Sequence, residues 1–329
     1  MKRAVIGISL LLMVAASVSL IPSRAQEASA PGQQTPSKNG AAANPLEVAL
    51  LKWFAAYRST NFKVGKSPVG LAFDGANIWV SNQYGSSLTK LRANDGTNLG
   101  TFTTGGGPTG VAFDGANIWT ANSFDGTVTK LRASDGKVLG TFTVGGPAPL
   151  QVAFDGSDIW VTNSQNASIT KLRASDGKTL GTFPDAGSPQ GVIFDGSYIW
   201  VSSLNGTVTR FKLDGKQAGT FNVGVGPRLM AFDGANVWVV NLGDQTVTKL
   251  RASDGANLGT FPTTGNGYGI AFDGTGIWIA GVSFIVELRP SDGKLIFQAR
   301  LAQGGDGAVA FDGANIWVAD YMADRVSKL

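Results

Sequence analysis

The sequence predicts an all-β protein in which one four-stranded unit is repeated seven times, and two observations support this prediction. The motif Phe-Asp-Gly recurs every 38 to 41 residues, with its phenylalanines at Phe73, Phe113, Phe154, Phe194, Phe232, Phe272 and Phe311. A tryptophan follows each phenylalanine by six residues, at Trp79, Trp119, Trp160, Trp200, Trp238, Trp278 and Trp317. A period near 40 with four short apolar runs per unit is typical of propeller blades. We therefore expect a seven-bladed β-propeller.

The unit that begins at residue 110 shows how the four strands are delimited. Its strand-like runs cover residues 110–113, 117–121, 127–131 and 137–144. Asp-Gly pairs separate the first run from the second and the third from the fourth, and a Gly-Pro pair ends the unit. Such punctuation indicates strands joined by tight hairpins. The connections are too short for crossover helices, so each blade should be antiparallel.

The two ends of the repeat region predict how the ring closes. The last unit stops at Leu329 after its third strand, whereas residues 60–68 match a fourth strand and the break that follows it. We therefore expect the N-terminal strand to complete the C-terminal blade, which would leave no open sheet edge there. The propeller then spans residues 59–329.

The first 58 residues divide into three segments by composition. Lys2 and Arg3 precede an uncharged apolar run, and small residues flank a cleavage point after Ala25, so residues 1–25 are typical of a secretory signal peptide. An uncleaved membrane anchor is the alternative. Residues 26–44 are rich in Ala, Pro, Gln, Ser and Gly and predict a flexible linker. Residues 45–58 predict a short apolar helix that packs on the propeller or contacts a membrane surface or partner.

Composition and charge exclude several functions. The 329 residues contain no Cys and no His, which excludes disulfides, thiolate nucleophiles, Ser-His-Asp triads and nearly every zinc site. Loss of residues 1–25 would leave 24 Lys and Arg against 23 Asp and Glu, so a nucleic-acid partner is not expected. We expect an exported protein, periplasmic or secreted, that is a monomer with no transmembrane span after signal cleavage.

Positions that are the same in every unit are expected to be structural. The Asp of each Asp-Gly pair should bond the turn backbone, and each Trp should be buried between blades. One further position is basic in six units and is Glu287 in the other: Lys90, Lys130, Lys171, Arg210, Lys249 and Lys328. This row is either a basic belt for an acidic partner or a set of side chains packed along their stems.

Two repeated motifs carry a resemblance to a known family. They are Val-Ala-Phe-Asp-Gly-Ala-Asn-Ile-Trp-Val and Thr-Val-Thr-Lys-Leu-Arg-Ala-Ser-Asp-Gly. Over about residues 60–329 the chain resembles the bacterial YVTN-type seven-bladed propellers, a family that includes secreted and periplasmic proteins. Streptogramin (virginiamycin B) lyases are related propellers that use a histidine with a metal ion. Because this chain has no histidine, the resemblance carries over no catalytic residue.

The variable loops predict one functional face. The Asp-Gly turns should lie on one face of the ring, and the loops after the Trp strand and between blades should lie on the other. Exposed aromatic and Arg side chains on these loops are the candidate ligand-binding residues: Arg228, Tyr268, Tyr84, Phe124, Phe284 and Tyr321. Such side chains are enriched at interfaces, so we expect an aromatic rim around one cation that binds a protein, peptide or glycan.

Three carboxylates of the last unit form a candidate metal site. Asp306, Asp320 and Asp324 offer oxygen ligands for Ca²⁺ or Mg²⁺, although their spacing matches no calcium loop. No other cofactor is expected. The leading hypothesis is a non-enzymatic binding scaffold. The alternative is a metal-assisted lyase or lactonase that uses carboxylates at the channel mouth.

Overall fold

The computed structural model describes residues 59–301 and 307–329, which form seven four-stranded antiparallel sheets arranged as a ring. The expected signal peptide, linker and helix lie outside the described residues. The first strand is β1 (Thr60–Lys63). Two short 3₁₀ turns occur, at Gln83–Gly85 and Ser164–Asn166. Within the described ranges, no helical segment has the length and apolar character needed to cross a bilayer.

Blades 1 to 6 each consist of four consecutive strands, ordered from the central channel outward. Blades 1 to 3 contain β2 (Pro68–Phe73), β3 (Asn77–Asn82), β4 (Ser87–Arg92), β5 (Asn98–Thr103), β6 (Pro108–Phe113), β7 (Asn117–Asn122), β8 (Thr127–Arg132), β9 (Val138–Thr143), β10 (Pro149–Phe154), β11 (Asp158–Asn163), β12 (Ser168–Arg173) and β13 (Thr179–Pro184). Blades 4 to 6 contain β14 (Pro189–Phe194), β15 (Ile199–Ser203), β16 (Thr207–Phe211), β17 (Gln217–Asn222), β18 (Pro227–Phe232), β19 (Asn236–Asn241), β20 (Thr246–Arg251), β21 (Asn257–Pro262), β22 (Gly267–Phe272), β23 (Ile277–Gly281), β24 (Phe284–Leu288) and β25 (Leu295–Arg300).

Blade 7 combines strands from both ends of the described chain. Its inner strands are β26 (Val309–Phe311), β27 (Ile316–Asp320) and β28 (Arg325–Lys328), and β1 is its outermost strand. Thr60 lies opposite Lys328 in an antiparallel pair. The predicted seven-bladed propeller and its closure by the N-terminal strand are therefore confirmed.

Each Asp-Gly turn between the first two strands of a blade also holds the tryptophan of that blade. In blade 1, Asp74 Oδ1 accepts hydrogen bonds from the backbone N–H groups of Ala76 and Asn77 at 3.0 and 2.7 Å, and Oδ2 accepts the indole N–H of Trp79 at 2.8 Å. Gly75 has a φ of +94°, a value that glycine adopts without strain. The indole–carboxylate bond recurs in all seven blades at 2.7 to 2.8 Å. The sequence predicted the turn contacts of this Asp but not its bond to the indole.

The row of basic side chains links neighbouring blades. Lys90 Nζ lies 5.1 Å from the ring centroid of Trp79 and donates to the backbone oxygen of Ala133 in blade 2 at 2.7 Å. The other five cations donate to backbone oxygens of the next blade in the same way, at 2.6 to 2.8 Å. These side chains are therefore packed between blades, and they do not form an open basic belt.

The junction between blades 6 and 7 departs from this pattern. Glu287 occupies the basic position of blade 6, and blade 7 has no hairpin between its two outer strands because these come from opposite ends of the chain. Trp278 is half-buried there, whereas the other six blade tryptophans are fully buried. Burial, together with the nearby Asp273 carboxylate, raises the pKa of Glu287.

Candidate functional site

The loops opposite the Asp-Gly turns form what we call the variable face. Because the strands of each blade alternate in direction, the connections between second and third strands and between blades all lie at this end of the ring. The central channel opens on the variable face as a cavity of about 200 Å³, which we call the channel mouth.

Equivalent positions of all seven blades line the channel mouth. In each unit the lining residue is the one four positions before the Phe of Phe-Asp-Gly: Val69, Thr109, Leu150, Gln190, Arg228, Tyr268 and Gly307. Gln83, Gln151, Leu229 and Ala308 complete the lining. The backbone repeats around the ring while these side chains differ, so the cavity is chemically asymmetric.

Hydroxyl groups on the second strands fix the backbone of this ring. In blade 4, Ser202 Oγ accepts the backbone N–H of Gly191 at 2.9 Å and donates to the backbone oxygen of Arg228 in blade 5. Thr162 joins blades 3 and 4 in the same way, donating to the backbone oxygen of Gln190 at 3.1 Å. Hydrogen bonds between blades therefore hold the backbone at the positions from which the lining side chains project.

Among the described residues that line the channel mouth, Arg228 is the one that carries a charge. Its Nη1 donates to Gln190 Oε1 at 2.6 Å, and its Nε is buried without a hydrogen-bond partner. Within residues 59–301 and 307–329, no carboxylate oxygen lies within 4.0 Å of this guanidinium. Gln190 is 5% exposed and its Nε2 donates to Ser164 Oγ at 3.1 Å, so the amide that orients Arg228 is itself held.

Tyr268 lines the same cavity and is half-buried. The structure therefore brings together two of the predicted ligand-binding residues, Arg228 and Tyr268, on neighbouring blades. Gln190, which orients Arg228, was not among the predicted site residues. Aligning the residue four positions before each Phe-Asp-Gly would have identified the whole ring from the sequence.

Three other predicted site residues form what we call the aromatic cluster, on the loops of blades 1, 2 and 7. The ring centroid of Tyr84 lies 5.9 Å from that of Phe124 and 6.4 Å from that of Tyr321. Tyr84 and Phe124 are 58% and 59% exposed. Gln83, which precedes Tyr84, lines the channel mouth, so the aromatic cluster begins beside the cavity.

Phe284 does not project from the variable face, and its prediction as an exposed rim residue is wrong. It is the first residue of β24, it is 8% exposed, and it packs with Val240 and Ile279 in a hydrophobic cluster. Only two residues separate β23 from β24, so Phe284 is already paired with Gly281. A Cβ on Gly281 would lie 2.4 Å from the Phe284 ring, so this glycine makes the space that the ring fills.

The candidate metal ligands do not form a cluster within the described part of the chain. Asp320 is buried, and its Oδ2 accepts a hydrogen bond from Arg325 Nε at 2.9 Å. Asp324 Oδ1 accepts the backbone N–H of Ser67 at 2.8 Å. Asp306 lies outside the described residues. Among residues 59–301 and 307–329, no group of three or more His, Cys, Asp or Glu could hold a metal ion.

Comparisons with known proteins agree with the fold. No protein-family model matches the chain, and no curated protein matches its sequence. Virginiamycin B lyase from Staphylococcus aureus is 16% identical with a TM-score of 0.71, over 82% of this chain and 98% of that chain. A streptogramin B lyase is 17% identical with a TM-score of 0.71, over 82% and 96% of the two chains. Hydrazine synthase from Kuenenia stuttgartiensis is 17% identical with a TM-score of 0.69, over the same shares.

At these identities the similarity shows the fold alone. The chain is a seven-bladed β-propeller.

Proposed function

We propose that the protein is a binding module that takes a peptide segment of a partner protein on its variable face. The asymmetric channel mouth is the observation that supports this proposal. It is a preformed cavity with apolar walls, one cation and several side-chain amides, which is the composition of a ligand pocket. One residue of the peptide would enter the channel mouth, and the aromatic cluster would contact the residues that flank it.

The chemistry of the variable face favours a peptide over a glycan. Val69, Leu150 and Leu229 give the channel mouth an apolar wall, which suits a hydrophobic side chain better than a sugar ring with its many hydroxyl groups. Tyr84, Phe124 and Met322 are exposed nearby, and Tyr, Phe, Met and Arg are the residues enriched at protein interfaces. A buried pocket with surrounding aromatic contacts is the usual arrangement of a binding hot spot.

The lyase or lactonase alternative needs carboxylates at the channel mouth. None of the described residues that line this cavity is acidic, and the Asp320 and Asp324 carboxylates are engaged elsewhere. We therefore do not propose an enzymatic function.

We also propose that the protein is exported, so its partner would be an exported or extracellular protein. Residues 1–25 support this proposal through their sequence pattern alone. N-terminal sequencing of the protein from its native cell should give Gln26 as the first residue. A mature chain that begins at Met1 would contradict export with cleavage.

Selection from a soluble library of random twelve-residue peptides, followed by calorimetry, tests the peptide-binding function. Selected peptides should bind the wild type, and the double variant Tyr84→Ala with Phe124→Ala should weaken them about tenfold or more. The matched control is Asp135→Asn, an exposed turn residue on the opposite face, which should leave affinity unchanged. The proposal fails if no peptide is selected while glycans bind in a parallel array, or if only the control variant loses binding.

A further inference from the structure

The charge of Arg228 lacks the compensation that other partly buried cations in this protein have. Arg210 Nη1 donates to the backbone oxygen of Ala252 at 2.8 Å, and its guanidinium lies 4.4 Å from the ring centroid of Tyr198. Arg325 pairs with the carboxylate of Asp320. Arg228 has a single neutral acceptor, Gln190 Oε1. A guanidinium is always charged, and withdrawing it from water with so few partners is unfavourable unless an anion joins it.

The contact with Gln190 leaves part of the Arg228 guanidinium without a hydrogen bond. Gln190 occupies Nη1, whereas Nη2 and Nε have no acceptor in the described part of the chain. Nη2 and Nε lie along one edge of the planar group. Because Nε is buried, a carboxylate of a ligand would meet this edge at Nη2, through a charge-assisted hydrogen bond.

The remaining polar groups of the channel mouth can support an anion. The side-chain amides of Gln83 and Gln151 and the hydroxyl of Tyr268 line the cavity, and within the described residues they make no hydrogen bond to the protein. Each of these groups can donate a hydrogen bond. The part of the lining that the structure describes therefore combines one cation and several free donors with no acidic side chain.

The channel continues below the mouth. A second cavity of about 170 Å³ continues from the first and shares Gln151, Leu229 and Ala308 with it. Its further lining residues are Leu71, Val152, Ile193, Met230, Ile270 and Val309. Their side chains pack in hydrophobic clusters within the blades, so the surface that faces this second cavity is more polar than apolar. The apolar surface lies in the mouth itself, where Val69, Leu150 and Leu229 line the same cavity as Arg228. A ligand that fits the mouth therefore carries a carboxylate with an apolar group attached close beside it.

We propose that the channel mouth binds the C-terminal carboxylate of a partner peptide at Arg228, with the apolar side chain of the last residue packed against Val69, Leu150 and Leu229 in the mouth. This inference rests on the proposed peptide-binding function and names the group that anchors the peptide. A C-terminal residue presents its carboxylate and its side chain from the same Cα, so one residue can contact both Arg228 and the apolar wall of the mouth. The carboxylate of an internal Asp or Glu is the tip of its side chain and has no apolar group beyond it.

The test compares three probes by calorimetry: a hexapeptide that ends in valine with a free carboxylate, the same peptide amidated at its C-terminus, and N-acetylvaline. The free peptide should bind at least about tenfold more tightly than the amidated one, because amidation removes the charge that Arg228 would pair with. Arg228→Gln should abolish this preference, whereas Arg228→Lys should keep part of it. Asp135→Asn on the opposite face should change nothing.

The ¹H–¹⁵N resonance of Arg228 Nε gives a readout at the proposed site. It should shift when the free peptide is added and stay in place with the amidated peptide. N-acetylvaline should produce the same shift if a small carboxylic acid is sufficient, and only the free peptide should do so if flanking contacts are needed. A shift of this resonance in the ligand-free Asp306→Asn variant would show that the chain's own carboxylate fills the site, which would overturn the inference.

Failure of this inference can be told apart from failure of the proposed function. If peptides bind and depend on Tyr84 and Phe124, but tolerate amidation and Arg228→Gln, the carboxylate site is wrong and the peptide-binding function stands. If no peptide binds but N-acetylvaline shifts the Arg228 resonance, the carboxylate site stands and the peptide-binding function is wrong. If neither probe binds, both are wrong.

Discussion

Asp155 accepts the indole N–H of Trp160 through Oδ2 at 2.8 Å, while its Oδ1 accepts backbone N–H groups of the same turn. One carboxylate therefore shapes the hairpin and fixes the side chain that fills the interface with the next blade. Trp160 is fully buried and packs with Val192, Ile199 and Phe211 of blade 4. Hairpin geometry and packing between blades thus depend on the same two residues.

Replacement of this tryptophan should be strongly destabilising. Trp160→Ala should lower the free energy of unfolding by about 3–5 kcal/mol, since it removes a large buried aromatic ring and leaves Asp155 without its indole partner. Urea denaturation followed by circular dichroism measures the change. Trp278→Ala, at the equivalent but half-buried position, is the matched control and should cost less. Equal losses at the two sites, or a loss below about 1 kcal/mol at Trp160, would contradict this account of the packing.

The turn carboxylates should make the propeller sensitive to acid. Burial alone would raise the pKa of Asp114, Asp233 and Asp312, but hydrogen bonds from the indole and backbone N–H groups outweigh it and lower each pKa. A carboxyl whose pKa is lower in the folded state stabilises the fold above its ordinary value of 3.8, and that stabilisation is lost as the pH falls through the lowered pKa.

We therefore expect the free energy of unfolding to fall below about pH 4. Urea titrations between pH 2 and pH 7 measure this dependence, and Asp312→Asn should reduce its slope in the acidic range. Stability that stays constant down to pH 2 would show that these hydrogen bonds do not favour the charged form.

Deletion of the closing strand should open the ring. Removal of residues 60–64 takes away every pairing partner of the outer edge of β28 and the Phe62 ring, which lies 5.5 Å from that of Trp317. An unpaired edge strand is a site of aggregation, so we expect a lower melting temperature and self-association in light scattering. Phe62→Ala, which keeps the backbone ladder, should lower the melting temperature less and leave the protein monomeric. A deletion variant that melts like the wild type would exclude the closure.

Glu287, at the junction of blades 6 and 7, should change the free energy of unfolding with pH in the opposite direction to the turn carboxylates. The pKa of Glu287 is raised by burial and by Asp273, so the folded state is penalised when this carboxyl is charged. Glu287→Gln should therefore raise the free energy of unfolding at pH 7 by a few tenths of a kcal/mol, a small effect because the side chain is partly exposed to solvent.

The gain from Glu287→Gln should shrink as the pH falls through the raised pKa of Glu287 and vanish below its ordinary value of 4.5, where the carboxyl is protonated in both states. Lys249→Gln is the matched control in blade 5. It should be destabilising at both pH values, since it removes the hydrogen bond to the backbone oxygen of Pro290. A gain from Glu287→Gln that does not change with pH would contradict the role of its charge.

The fold could be predicted from the sequence because the features that determine it are local and recur in every blade. The Asp-Gly turn and its tryptophan lie within six residues of each other, and the match of residues 60–68 to a fourth strand located the closing strand. The binding-site prediction was less complete. Arg228 and Tyr268 were chosen as candidates because they interrupt the repeat, whereas Gln190 is an ordinary polar residue until the strand register places it beside Arg228.

Phe284 was misplaced because its position depends on the length of one connection. Two residues between β23 and β24 pair Phe284 with Gly281, whereas the longer loop of blade 1 leaves Tyr84 outside the strands. Asp320 was assigned as a metal ligand because the cross-strand position of Arg325 becomes apparent only once the hairpin register is known.

The pairing of β1 with β28 also sets an order of events during synthesis. Asn61 and Ser327 are hydrogen-bonded neighbours that lie 266 positions apart in the chain. Strand β1 must therefore wait for β28, and six blades can assemble before the seventh has all its strands. The entropy of closing a long loop grows only slowly with its length. The rate at which the ring closes therefore depends more on the time until β28 is made than on the number of residues between β1 and β28. A chain that stalls before residue 325 would present two unsealed sheet edges at once, and the time to emergence of the C-terminus is the period in which the protein is most exposed to misassembly.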